Sequence, residues 1–168
     1  MADKALYILA GFDDVTEGKL TALQNRLYEQ GFSGVQTKGI PMHFTLGSYL
    51  SEQEEELKQR LLRISEDHKS FEVDFSHVGL FRLPENDVLF IKPEVNKAML
   101  KLKDEFTDSS DPYGWSSHTT LLIDRPQNIS EALQIVMGEF SSFSGKTEAL
   151  HLYEFWPARH ILSVKLKG

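Results

Sequence analysis

The pattern His-x-Thr-Leu occurs twice in this chain, as His43-Phe44-Thr45-Leu46 and as His118-Thr119-Thr120-Leu121. Each copy opens an apolar run. In an extended strand, side chains at i and i+2 share a face, about 6.6 Å apart along the chain. His43 and Thr45 then point one way, and Phe44 and Leu46 the other. His118 and Thr120 divide from Thr119 and Leu121 in the same manner. The Leu and the intervening residue suit a core, which leaves His and Thr to line an open face.

Two such strands brought together gather two imidazoles and two hydroxyls. Phosphodiester cleavage uses that set. A base activates the attacking oxygen and an acid protonates the leaving one. Imidazole, with an ordinary pKa near 6.5, serves as either at neutral pH. The hydroxyls donate hydrogen bonds to non-bridging phosphate oxygens and share the developing charge. No metal is required. A single His-x-Thr is weak evidence, since one strand histidine is as readily structural. Two copies in equivalent places are a stronger signal.

The elements that must position these residues are legible in outline. Residues 5–12, ALYILAGF, read as a buried strand. Thr16 reads as the cap of a helix from about 17 to 30, with Leu20, Leu23 and Leu27 at helical spacing and Gly31 as its stop. Residues 43–50 alternate as a strand. Ser51 with Glu54 fits a capping box for a helix that carries Leu57, Leu61 and Ile64 on one face. Strands follow at 71–77 and 87–92. Pro93 reads as the opening of a third helix, with Val95, Met99, Leu102 and Phe106 on one side. Residues 107–116 are a loop, and 117–124 a strand. Asn128 with Glu131 caps a fourth helix bearing Leu133, Val136, Met137 and Phe140. Strands at about 147–155 and 160–167 close the chain.

The unit strand, helix, histidine strand, helix, strand thus appears twice, over 5–77 and 87–155. We read it as a diverged internal duplication. The expected fold class is α+β: two pseudo-symmetric α/β lobes with antiparallel sheets facing a central groove. Residues 1–168 are expected to form one domain of two closely packed lobes.

Composition narrows the function. Hydrophobic residues make up 40 % and charged residues 26 %, ordinary values for a globular chain. The absence of cysteine excludes disulfides, thiolate metal sites and cysteine nucleophiles, and suits the cytoplasm. Lys and Arg total 18 against 25 Asp and Glu, a net charge of −7. That balance disfavours a grip on long nucleic acid and favours a small ligand or a short nucleic-acid end. The first apolar stretch is too short to span a membrane and lacks a cleavage pattern. Four histidines remain, His68, His77, His151 and His160, and His68 is expected to be solvated. No His-x-His or His-x-x-x-His occurs among them, so neither a metal nor another cofactor is expected.

With these residues in view, the chain resembles the two-histidine (2H) phosphoesterases, and within them the 2′-5′ RNA ligase and cyclic phosphodiesterase branch. HFTL at 43–46 and HTTL at 118–121 carry the resemblance. The continuations TLGSYL and HTTLLIDRP and the closing segment from His151 agree with it. It implies two similar lobes with a groove between them, and hydrolysis of a 2′,3′-cyclic phosphate or a related cyclic nucleotide. It implies His43 and His118 as the acid–base pair, and Thr45 and Thr120 as phosphate binders. The chain departs from the family's habit at Ser117, where many members have proline, and at Phe155-Trp156-Pro157, where other branches are polar. These departures bear on the substrate more than on the chemistry.

Tyr153 and Trp156 are candidates for stacking on a base. Arg125 and Arg159 are candidates for holding phosphate, and Tyr113 and Trp115 for the rim of the groove. The expected partner is a cyclic-phosphate nucleotide or a short RNA end. A different class remains open, in which the same groove binds a nucleotide or RNA end without turning it over. RNA ligation would run the same step in reverse.

Overall fold

The computed structural model describes residues 4–110 and 114–168, so Tyr113 lies outside the described residues. Strand β1 (Ala5–Phe12) leads into α1 (Asp14–Glu29), β2 (His43–Leu50), α2 (Glu54–Asp67) and β3 (Phe71–Arg82). The second half runs β4 (Asp87–Pro93), α3 (Lys97–Lys103), β5 (Thr119–Asp124), α4 (Pro126–Glu139), β6 (Phe143–Phe155) and β7 (Arg159–Lys165). This is the element order expected from the sequence, in a mixed α/β fold. Among the described residues, no helix is long and apolar enough to cross a membrane.

Several helix starts differ from expectation, each for a local polar reason. Asp13, not Thr16, caps α1 by accepting from the Thr16 amide at 3.0 Å. Thr16 is buried instead and accepts from the Lys146 amide across to β6. Ser51 makes no capping box with Glu54: its hydroxyl bonds Lys4 O and Glu154. Pro93 ends β4, and α3 begins after Asn96, whose side chain accepts from the Met99 amide. Val95 is accordingly exposed, while Met99, Leu102 and Phe106 are buried. In α4 the inward face is Ile129, Ala132 and Val136, and Met137 is exposed. Asn128 donates to Asp124 from inside that helix rather than capping it.

The strands form one seven-stranded sheet with order β2-β1-β6-β3-β4-β5, and β7 adds to β6. All ladders between these strands are antiparallel. The duplication is visible in the pairing, with an exchange that the sequence does not show. Strand β1 pairs with β6 of the second half, and β4 pairs with β3 of the first. Strands β3 and β6 then pair with each other through Phe71–Phe75 and Phe143–Thr147. The pseudo-twofold relating the halves therefore passes between β3 and β6, and one ladder joins the two sides of the groove.

Strands β2 and β5 lie at opposite ends of this order, yet their Cα atoms approach within 8 Å. The sheet curls until its two edges nearly meet. Exposed edge groups cost free energy if left without partners, and neighbouring side chains satisfy several of them. Trp115 Nε1 donates to Thr45 O at 2.8 Å, and Ser109 Oγ accepts from the Ser48 amide at 2.8 Å. On the other edge, Gln24 Nε2 donates to Leu121 O at 3.0 Å. One continuous apolar core fills the helix-side face and draws Leu20, Leu57, Ile129 and Val136 against strands from both halves.

Candidate active site

The strand periodicity sorts both motifs as the spacing requires. Phe44, Leu46, Thr119 and Leu121 are fully buried. His43, Thr45, His118 and Thr120 are half-buried on the opposite side. His43 opens β2, and His118 immediately precedes β5. Because the curled sheet brings β2 and β5 together, the two motifs become neighbours across 75 residues of chain.

Each imidazole is fixed in the same way. His43 Nδ1 lies 2.7 Å from Pro41 O, and His118 Nδ1 lies 2.8 Å from Ser116 O. A carbonyl only accepts, so Nδ1 carries the proton in both rings, and in the neutral ring the lone pair belongs to Nε2. Both rings use the carbonyl two residues earlier, a local device that the duplication repeats. Burial pushes the His43 pKa down to about 4, partly offset by the Pro41 bond, with further lowering from the charges of His118 and His151. The ring touches solvent at one edge, but it is walled closely enough that loss of hydration dominates its titration.

The aromatic walls are not symmetric. His118 packs edge-on against Phe81 at 4.8 Å between centroids and against Phe90 at 5.4 Å. On the other side, Gly11 is the β1 partner of His43. A Cβ at Gly11 would overlap the His151 ring, so the bare glycine lets that imidazole lean across β1. Ser117, at the entry of β5, is buried. Its buried hydroxyl donates to Pro93 O at 2.8 Å and receives Lys92 Nζ at 3.1 Å, which ties the entry of β5 to β4.

A cleft of about 210 Å³ contains His43, Thr45 and Thr120 together with Tyr7, Gln24, Phe155 and Trp156. Trp156 stacks on Phe155 at 4.8 Å, and Tyr153 stacks on the same ring at 5.6 Å. Trp156 thus lines the cleft directly, whereas Tyr153 reaches it through Phe155. A larger hollow of about 410 Å³, between α1 and the start of β6, holds neither motif. Arg159 is committed to Glu54 and Glu154, and Arg125 sits at the exposed start of α4; neither lines the cleft. Trp115 does not line this cleft: it packs against the core and donates through Nε1 to Thr45 O. His68 is enclosed beside Glu105 at 2.7 Å rather than solvated. Among the described residues, no group of three or more His, Cys, Asp or Glu is placed to hold a metal ion.

Sequence reading missed Gln24 and His151. Gln24 is buried, and nothing in a helical glutamine signals that it will tie α1 to the edge of β5. Gly11, inside an apolar strand, was the available hint that a ring would lie across it.

Residues 13–90, which include the first motif, match the family described as LigT like Phosphoesterase. No curated protein matches the sequence. Among solved structures, LigT of E. coli in its apo form is 14 % identical, with 98 % of each chain covered and a TM-score of 0.63. TT0787 of Thermus thermophilus is 15 % identical over 98 % of each chain, with a TM-score of 0.65. That family match covers residues 13–90 only, and the likeness to LigT and TT0787 extends the same fold over nearly the whole chain. Usb1 of Kluyveromyces marxianus, solved with uridine monophosphate, is more distant: 11 % identity over 98 % of each chain and a TM-score of 0.51. The similar E. coli LigT has also been solved with ATP and with 3′-AMP.

Proposed function

We propose that this chain is a phosphoesterase of the two-histidine kind, hydrolysing a 2′,3′-cyclic phosphate, on a nucleotide or an RNA end, without a metal. The observation that carries this reading is the meeting of the two His-x-Thr segments at the closing edges of the sheet, each imidazole held through Nδ1 by its own backbone. Two hydroxyls, Thr45 and Thr120, face the same cleft and suit the non-bridging oxygens.

His43 is the base of this proposal, because its low pKa keeps it neutral at pH 7. Its Nε2 accepts a proton from water as the water oxygen bonds to phosphorus. The bond from phosphorus to one ribose oxygen breaks, and His118 donates a proton to that oxygen. The product is a phosphate monoester, and proton exchange with solvent resets the pair. Joining RNA ends is the same displacement with the hydroxyl of a second RNA in place of water: its oxygen bonds to phosphorus, one ribose oxygen leaves with a proton, and the product is a phosphodiester. The nucleotides bound by the similar LigT and Usb1 structures support a nucleotide-type ligand. The lack of cysteine fits work in the cytoplasm.

The test is an assay of nucleoside 2′,3′-cyclic phosphates in the presence of a chelator, with product positions determined. Turnover is expected to persist, and His43→Ala or His118→Ala to reduce kcat by roughly 10²- to 10⁴-fold each. Undiminished turnover in either variant would end the proposal. Binding without product after long incubation would establish a nucleotide sensor instead.

A further inference from the structure

The six histidines of the chain fall into three kinds. His68 and His77 pair with carboxylates, Glu105 and Glu94. His43 and His118 bond backbone carbonyls. His151 and His160 do neither. His151 Nδ1 lies 2.6 Å from Ser163 Oγ, and His160 Nε2 lies 2.7 Å from the same oxygen. A hydroxyl has one proton to give, so at least one of these rings donates its N–H to Ser163. The cluster holds at least one imidazole N–H donor beside a hydroxyl, with no carboxylate bonded to it among the described residues.

Its position ties it to the groove. On β6, Leu150 and Leu152 are core residues, so His151 and Tyr153 lie on the face opposite the core. His151 is level with Thr45, because both pair with Leu9 of β1 from opposite sides. Two strand spacings, about 10 Å, separate their backbones. The His151 ring shortens that gap by leaning over Gly11, the partner of His43. Its charge is felt at His43. Ser163 and His160 continue the row onto β7, and His160 is exposed and packs on Tyr153 at 5.2 Å.

We propose that His151, Ser163 and His160 bind a second phosphate, carried on O5′ of the nucleoside whose 3′ end sits between His43 and His118. The aromatic shelf of Tyr153, Phe155 and Trp156 then flanks the nucleoside between the two anion sites. Imidazole N–H and hydroxyl groups suit phosphate oxygens, and an imidazole that takes up a proton makes the bond charge-assisted. None of the three residues is needed by the hydrolytic step, so the cluster bears on which substrate is used. The preferred class is a nucleotide phosphorylated at both ends, or the 3′-terminal nucleotide of an RNA.

This inference rests on the proposed groove for the terminal phosphate, and a binding experiment separates the two. Calorimetry on the full chain measures adenosine 3′-monophosphate, adenosine 3′,5′-bisphosphate and the dinucleotide ApAp. The bisphosphate, the dinucleotide or both are expected to bind about tenfold more tightly than the monophosphate. Advantage in the bisphosphate alone assigns a monoester ligand; advantage in both assigns the RNA backbone as well. In His160→Ala and in Ser163→Ala, each checked by thermal melting, the advantage is expected to fall within twofold of none. Equal affinity for all three ligands, or an advantage that survives both substitutions, would overturn the proposal. A chain that shows the advantage but leaves cyclic phosphates intact would keep the subsite and reject the hydrolysis.

Discussion

A buried imidazole loses hydration that its charged form needs more than its neutral form does. His43 shows the consequence: its pKa falls from 6.5 to about 4 in the folded chain. The unfolded chain therefore takes up this proton more readily. His43's contribution to stability is intact above pH 6.5 and is lost as pH falls toward 4. The unfolding midpoint is expected to drop across that window, with a shallower drop in His43→Ala, as thermal melts at stepped pH would show. An unchanged slope would reject the assignment. For catalysis the same shift places the limb that reports the base well below pH 6.5, readable in kcat/KM against pH. At the same scale, Gln24→Leu removes the side-chain donor to Leu121 O and is expected to cost about 1–2 kcal/mol in denaturant unfolding. The histidines and threonines were legible in the sequence because period-2 alternation sorts their faces. Gln24 was not, because its partner is 97 residues away.

Elements were read well where burial sets a period and poorly where a single hydrogen bond decides a boundary. The strand 43–50 was expected as observed, since its alternation is enforced by a core on one side only. The start of α1 was misplaced because Asp13 and Thr16 are both competent caps, and the demand of the Lys146 amide drew Thr16 away. Asp13→Ala is expected to lose about 1 kcal/mol of stability, measured by urea unfolding, whereas Thr16 would have been the choice on sequence alone. Strand packing also bears on the second motif. A Cβ at Gly79 of β3 would stand 2.6 Å from Phe90 Cζ, and Phe90 supports His118. Gly79→Ala is expected to displace that ring and lower kcat while the first motif stays in place. Turnover at the wild-type rate would show that the Phe90 contact does not position His118.

At the level of the whole molecule, β3 and β6 cross between the halves, so neither half has its own complete sheet. We propose that the chain unfolds as one cooperative unit. Fragments 1–86 and 87–168 are expected to be unstructured alone by circular dichroism and to gain structure when mixed; a folded lone fragment would contradict this. The sequence by itself determined the order of elements, the inward and outward faces of the motif strands, and the chemical character of the two histidines and two threonines on their open side. These are local matters, set by side-chain type and by the two-residue repeat of a strand. Only the tertiary structure decided that the third strand of each half is exchanged, that the sheet curls until β2 meets β5, and that His151 crosses Gly11 toward His43. Those outcomes follow from pairing between residues far apart in the chain, where apolar strands of similar pattern compete and only the packed whole selects among them.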